Sequence, residues 1–286
     1  MMQSVKNWLK KHFYILKVRD RLAPQVGIQQ RQLFHYYQDL QAQGRLPGLA
    51  HTGFRVFSQF EEDGKLLYIF SLIGMRHKTF LDIGADDGVN SNCANFYFHF
   101  GWNGLFIDGN ATAIRRGQRF YAKYPHPHMP PPTFVQGLVK RENVNALVQK
   151  GGLSGEIDLL SIDIDGNDYW IWDALEVVQP RVVIIETHVE FGLRNIVVPY
   201  DPDYVYPGQH PDYHGASPVA MVKLAQRKGY RLVGANELGF NFIFVKNGEG
   251  DNALPEVAVE SVLQHPRTKA SFARFEAIKD WAYLEG

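Results

Sequence analysis

Between residues 79 and 186 the chain alternates short, almost unbroken apolar runs with longer mixed segments. The runs are TFLDIG (79–84), GLFIDG (104–109), TFVQG (133–137), IDLLSID (157–163) and RVVIIE (181–186). Ile, Val, Leu and Phe without polar alternation describe strands buried on both faces. Segments 90–100, 111–123, 141–150 and 167–178 lie between them and are long enough for crossover helices. This alternation predicts a doubly wound, mostly parallel sheet.

The flanks follow other patterns. Residues 1–45 read as helical with a break at Pro24, and Gly44, Pro47 and Gly48 mark the next turn. Residues 59–73 (QFEEDGKLLYIFSLI) read as a helix feeding a strand. Ser217-Pro218 opens a helix over 217–228 that closes at Gly229. YRLVG (230–234) and FNFIFV (240–245), joined by a short turn, suggest an antiparallel hairpin at the sheet edge. The last stretch, from about 251, reads as helical with an interruption at His265-Pro266. Two loops stand out, the proline-rich 124–132 and the long Tyr-, Asp-, Pro- and His-rich 197–215. A loop as long as the second is usually a lid or a binding loop. The expected division is a helical extension at 1–50, one α/β domain at 51–250 and a helical segment at 251–286.

Composition narrows the classes. Thirty basic residues balance thirty acidic ones, which disfavours a nucleic-acid partner. With 45% apolar and 21% charged residues the chain is globular. Cys93 alone excludes an intramolecular disulfide framework and a cysteine-clustered zinc site, so a cytoplasmic setting is the default. No apolar stretch is long enough to span a bilayer, and Lys17 and Arg19 interrupt any signal-peptide core. Trp8, Leu9, Phe13 and Leu16 share a helical face with lysines on the others. Such a helix docks on its own domain or on a second copy, which offers a route to homo-oligomers. Its other reading is a helix lying on an anionic membrane surface.

Candidate chemistry gathers where the runs end, at Asp82, Asp108, Gly137, Asp163 and Glu186. Ligands of open parallel sheets bind beyond those ends. The turn Gly84-Ala85-Asp86-Asp87-Gly88 has glycines for sharp bending, but its two aspartates would repel a pyrophosphate. Asp108, twenty residues past Gly88, is placed to take ribose hydroxyls. A ribose together with a cationic group points to S-adenosylmethionine (SAM).

On these residues, FLDIGADDG, GWNGLFIDGN, IDLLSIDIDGNDYW and RVVIIETH, the chain resembles class I SAM-dependent methyltransferases, most closely the FkbM type. Asp86 stands where the middle glycine of the D/E-x-G-x-G-x-G motif usually lies. The resemblance implies a Rossmann-like seven-stranded sheet with an antiparallel last strand. It implies that Gly84, Asp86 and Gly88, with Asp82 at the strand end, wrap the methionine part of SAM. Asp108 would hold the ribose, Gly109 would let the adenosine approach, and Gln136 and Gly137 would sit beside adenine.

Asp163 and Glu186 end neighbouring strands and are candidates for catalysis at the methyl group. With Asp165 or Thr187 they offer hard oxygen ligands to Mg2+. Without a metal, Asp163 or His188 would act as general base on an acceptor hydroxyl. Asp165 and Asp168 read alternatively as caps of the following helix. Trp170, Trp172 and Cys93 read as packing residues. The expected reaction is O-methylation of a sugar, glycan or other polar small molecule, with loop 197–215 covering the acceptor. Two alternatives stand: a nucleotide-sugar glycosyltransferase using Asp163 and Asp165 as a D-x-D metal motif, and a non-catalytic SAM-binding module.

Overall fold

The computed structural model describes residues 18–286. The basic amphipathic segment with Trp8, Leu9, Phe13 and Leu16, and the self-association expected of it, lie outside the described residues.

Seven strands form one sheet: β1 (Thr79–Ile83), β2 (Asn103–Asp108), β3 (Thr133–Gln136), β4 (Gly155–Ile162), β5 (Val178–Glu186), β6 (Tyr230–Ala235) and β7 (Asn241–Lys246). Their order is β3-β2-β1-β4-β5-β7-β6. The first five run parallel, and β7 lies antiparallel to both β5 and β6. This is the Rossmann-like doubly wound sheet with an antiparallel last strand that the apolar runs and the resemblance predict. The chain winds outward from β1 to β3, then returns to β4 on the other side of β1. That reversal opens a crevice at the carboxyl ends of β1 and β4.

The helices are α1 (Pro24–Ala42), α2 (Glu62–Ile73), α3 (Ala94–Phe100), α4 (Ala111–Lys123), α5 (Val144–Lys150), α6 (Asp168–Ala174) and α7 (Pro218–Arg227), followed by the short α8 (Val259–Val262) and α9 (Pro266–Ser271). Among the described residues, no helix is long and apolar enough to cross a membrane. Side chains of successive strand residues face opposite sides of the sheet. Leu81, Ile83, Leu105 and Ile107 pack with Trp172, Met221 and Leu224 on one side. Phe80, Phe106, Leu159 and Ile184 pack with Phe70, Phe96 and Trp102 on the other.

Local chemistry explains the boundaries. Asn110 caps α4 by accepting from the Thr112 and Ala113 amides, and Ser217 caps α7 by accepting from Ala220 with Pro218 in the first turn. Two segments differ from expectation, the one before β1 and the tail after α9, whereas the helix break at His265-Pro266 falls where expected. LLYIFSLI stays helical to Ile73, because α2 is buried along nearly its whole length, and the chain turns at Gly74 (φ 73°) before β1. Pro266 starts α9, since a first-turn proline has no amide to lose, with His265 as its cap. The tail after α9 holds one 3-10 segment, Phe272–Ala277, and ends irregularly, pairing Leu284 with Val197.

Arg181, on β5, is 1% exposed. It donates to Asp158 and Glu249 (both 2.8 Å) and to the carbonyls of Ile73 and Gly74 (both 2.7 Å). A buried guanidinium is tolerable only when so fully paired. It ties the end of α2 to β4 and to the turn after β7, near the amino ends of the strands.

Candidate functional site

A cavity of about 620 Å³ lies over the carboxyl ends of β1, β2 and β4. Gly84 and Asp86 form one wall, Asp108, Gly109 and Asn110 the next, and Leu138 and Val139 a third. Asp163 to Asp165 close the inner side, and Tyr204 to Tyr206 of the long loop reach over the top.

The turn after β1 is shaped by backbone. Gly84 has φ +85°, and a Cβ there would lie 1.7 Å from the Asp163 carbonyl oxygen. Its amide and that of Ala85 donate to the Ile107 carbonyl (2.9 and 3.2 Å). Asp86 also has positive φ (49°), so it supplies the conformation that a glycine would, and its amide donates to Asp108 Oδ2 at 2.8 Å. The Asp86 and Asp87 carboxylates pair with Arg116 (2.8 and 2.5 Å). Asp108 Oδ1 accepts from the Asn110 amide at 2.7 Å. Each Asp108 oxygen is thus fixed by one amide.

The other expected cofactor residues stand behind the wall. Gln136 donates to the Gly109 carbonyl (3.1 Å), and the Gly137 amide donates to that of Asp108 (3.0 Å), so both buttress the β2 turn. The Gly88 carbonyl accepts from Tyr121 (2.6 Å), and a Cβ at Gly88 would lie 3.2 Å from the Phe106 ring. Asp82 is buried and accepts from Ser91 at 2.5 Å. Burial lifts its carboxyl to about 6, against the pull of hydrogen bonds from Ser91 and Ser161.

Asp163, Asp165 and Glu186 come together, each with a carboxylate oxygen within 4.8 Å of the others. Burial, then repulsion from Asp168 and Asp165, pushes Asp163 up to about 8. Burial and the neighbouring Asp163 hold Glu186 well above the usual carboxylate range. Asp168 does not cap α6. It reaches back to accept from the Ile164 (2.9 Å) and Gly166 (3.0 Å) amides, and so holds Asp165 at φ +54° inside the cluster. The Thr187 hydroxyl donates to the Phe240 carbonyl (3.2 Å) and turns from the cluster.

His188 lies under loop 197–215, away from the cavity wall. Its Nε2 donates to the Asp212 carbonyl at 2.9 Å, and burial lowers it to about 4, so the ring is neutral. The loop itself is fastened at several points. Lys140 pairs with Asp203 (3.1 Å), Tyr200 donates to Glu142 (2.8 Å), and Asn167 donates to the Asp201 carbonyl (2.8 Å). Trp170 is more than packing: its Nε1 donates to the Val198 carbonyl at 3.0 Å. From the C-terminal segment, Arg274 grips Asp212 and Glu190, and Tyr213 donates to the Ala282 carbonyl (2.5 Å).

Sequence reasoning missed Tyr204. Its ring packs where a Cβ on Gly166 would lie 2.4 Å away, and its hydroxyl is buried without a hydrogen-bond partner among the described residues. It divides the large cavity from a second one of about 410 Å³ enclosed by the loop. The glycine in IDIDGNDYW was the available signal, since a large side chain needs such a seat.

No family model and no curated protein matches the chain. Among solved structures, it is similar to a SAM-dependent methyltransferase from Clostridium acetobutylicum (12% identity, 61% of this chain and 86% of that one, TM-score 0.38). It is similar to a SAM-dependent methyltransferase from Aquifex aeolicus (11% identity, 63% and 87%, TM-score 0.37). A methyltransferase from Podospora anserina, solved with SAH bound, matches at 13% identity over 66% of this chain and 80% of its own (TM-score 0.44).

Proposed function

We propose that the chain is a SAM-dependent methyltransferase of FkbM-like type, with its catalytic unit at 51–250 and helical additions at 1–50 and 251–286. The observation that carries this reading is Asp108. Its carboxylate is fixed by two turn amides at the lip of a cavity that also carries Asp86, Asp163 and Asp165. That arrangement suits a ribose joined to a positively charged group, and Gly109 and Leu138 line the cavity next to it. The D-x-D reading accounts for Asp163 and Asp165 but leaves the Gly84 turn and Asp108 without a role. The acceptor would be a hydroxyl of a sugar, glycan or other polar small molecule, and cysteine usage favours a cytoplasmic setting.

When bound, SAM supplies an electrophilic methyl on a cationic sulfur. Asp163 lines the inner side of the cavity with a Glu186 oxygen within 4.8 Å of its own, and burial raises both carboxyls, so in ionised form they would be strong bases toward the acceptor's proton. Loop 197–215 excludes water and aligns the acceptor with the methyl. The same oxygens fit a divalent cation: Asp163, Asp165 and Glu186 would hold it. Such a cation would lower the acceptor's pKa.

Isothermal titration with SAM tests the reading. Saturable binding is expected, and no heat at concentrations far above usual cofactor levels ends it. The loop fastenings add a kinetic expectation. Combining Lys140→Ala with Tyr200→Phe removes three exposed contacts, those of Lys140 to Asp203 and of the Tyr200 hydroxyl to Glu142 and the Arg141 amide, and should speed release of S-adenosylhomocysteine about threefold, since such surface contacts contribute up to ~1 kcal/mol. An unchanged off-rate in stopped flow would show that the loop does not gate the cofactor.

A further inference from the structure

We infer that the turn spanning residues 56–60 is built to hold Gln59 against the amino-acid tail of the cofactor. The inference rests on the cofactor reading above.

A sulfonium carries three substituents, and three cavities meet around the end of β4. The large one has Asp108 for the adenosyl group. The loop cavity shares Asn167, Tyr204 and Val205 with it and lies on the acceptor side. The third, about 40 Å³, shares Gly84 and Asp163 with the large one and is lined further by Gln59, Asn90, Asn92 and Asn241. It has room for roughly three waters, the scale of an ammonium with a carboxylate and too little for a ring.

The lining suits a zwitterion. Asp163 stands on the shared wall and the buried Asp82 lines the small cavity as well, acidic residues for the ammonium. Side-chain amides offer donors for the carboxylate and carbonyls for the ammonium. Two of the amides are fixed in place: Asn92 donates to Ser161 at 3.2 Å, and Asn241 donates to the buried Glu62 at 3.0 Å. Asn90 accepts from Arg21 at 3.1 Å, which leaves its NH2 as a donor. Gln59 makes no side-chain hydrogen bond among the described residues and is exposed at the cavity.

The turn that carries Gln59 is supported from two sides. Asp63 Oδ2 accepts from the amides of Val56, Phe57 and Ser58 (2.7, 2.6 and 2.9 Å). On the other side, Glu62 accepts from the Phe60 amide at 2.8 Å and from Asn236 and Asn241. Both carboxylates are fully buried. Burying two carboxylates is costly, and here they rigidify one turn whose tip is Gln59.

The test compares S-adenosylhomocysteine with 5′-methylthioadenosine, which keeps the adenosyl thioether and lacks the tail. Wild type should bind the first at least about tenfold more tightly, and Gln59→Ala should cut that preference to about threefold, with methylthioadenosine affinity unchanged, because charge-assisted bonds to the tail are lost. Gln59 is exposed, so the variant should fold, which circular dichroism checks. Equal affinity of wild type for both ligands, or a Gln59→Ala effect that is absent or the same on both, overturns the inference and leaves the cofactor reading intact. Wild type binding neither overturns both.

Discussion

Replacing Asp108 with alanine is expected to weaken binding of S-adenosylhomocysteine about 100-fold, the loss of two hydrogen bonds to a charged group. The carboxylate stands at the end of β2, with one amide from the β1 turn and one from its own turn on its oxygens. Those bonds set its plane, and the lone pairs left over are the ones a ribose diol would meet. The variant also frees the Asp86 amide, so part of the loss would come from the turn. The 2′-deoxy analogue separates the two contributions. Wild type should prefer the ribose form, and Asp108→Ala should not discriminate. A variant that keeps the full preference would remove the ribose assignment.

Gly84→Ala should cost about 3 kcal/mol or more of folding stability, the sum of left-handed strain and overpacking. A comparison inside the same molecule isolates the second part. Gly229 has nearly the same φ (+86°) and nothing within 4 Å of where a Cβ would stand, whereas at Gly84 the Asp163 carbonyl is 1.7 Å away. Gly229→Ala should therefore cost only the conformational strain, about 1 kcal/mol. Urea unfolding of the two variants gives the difference directly. Equal losses would mean that β1 and the β4 turn do not need the contact. A folded Gly84→Ala should also bind cofactor poorly, because any relief separates the Gly84 turn from Asp163.

The sheet was legible because burial on both faces leaves one signature, a continuous apolar run. That signature failed where a strand is not apolar. β5 starts at Val178, ahead of the RVVIIE run, and carries Pro180 in register with Ile157. Proline at that point argues against a strand on sequence grounds. At the site, the strand-end carboxylates were readable but their directions were not. Asp82 alternates onto the Phe80 side of β1, where it meets Ser91 and lines the small cavity beside Gln59, while Asp108 meets the large one. His188 is only two residues beyond Glu186, yet its ring is turned under the loop by the Asp212 carbonyl. Gln59 and Tyr204 belong to irregular segments, where no period marks a side chain. Their placement comes from the Asp63 bonds and the Gly166 seat, contacts that only the folded chain reveals.

The grip of Arg274 on Asp212 and Glu190, with Leu284 paired to Val197, makes the last residues of the domain and the long loop one mechanical unit. Free energy put into either is felt by the other, and the coupling is reciprocal. A ligand that orders the loop should protect the segment after α9 from proteolysis and slow its amide exchange. Conversely, an antibody fragment or fusion that pulls on that segment would act as a remote antagonist of acceptor binding without touching the cavity.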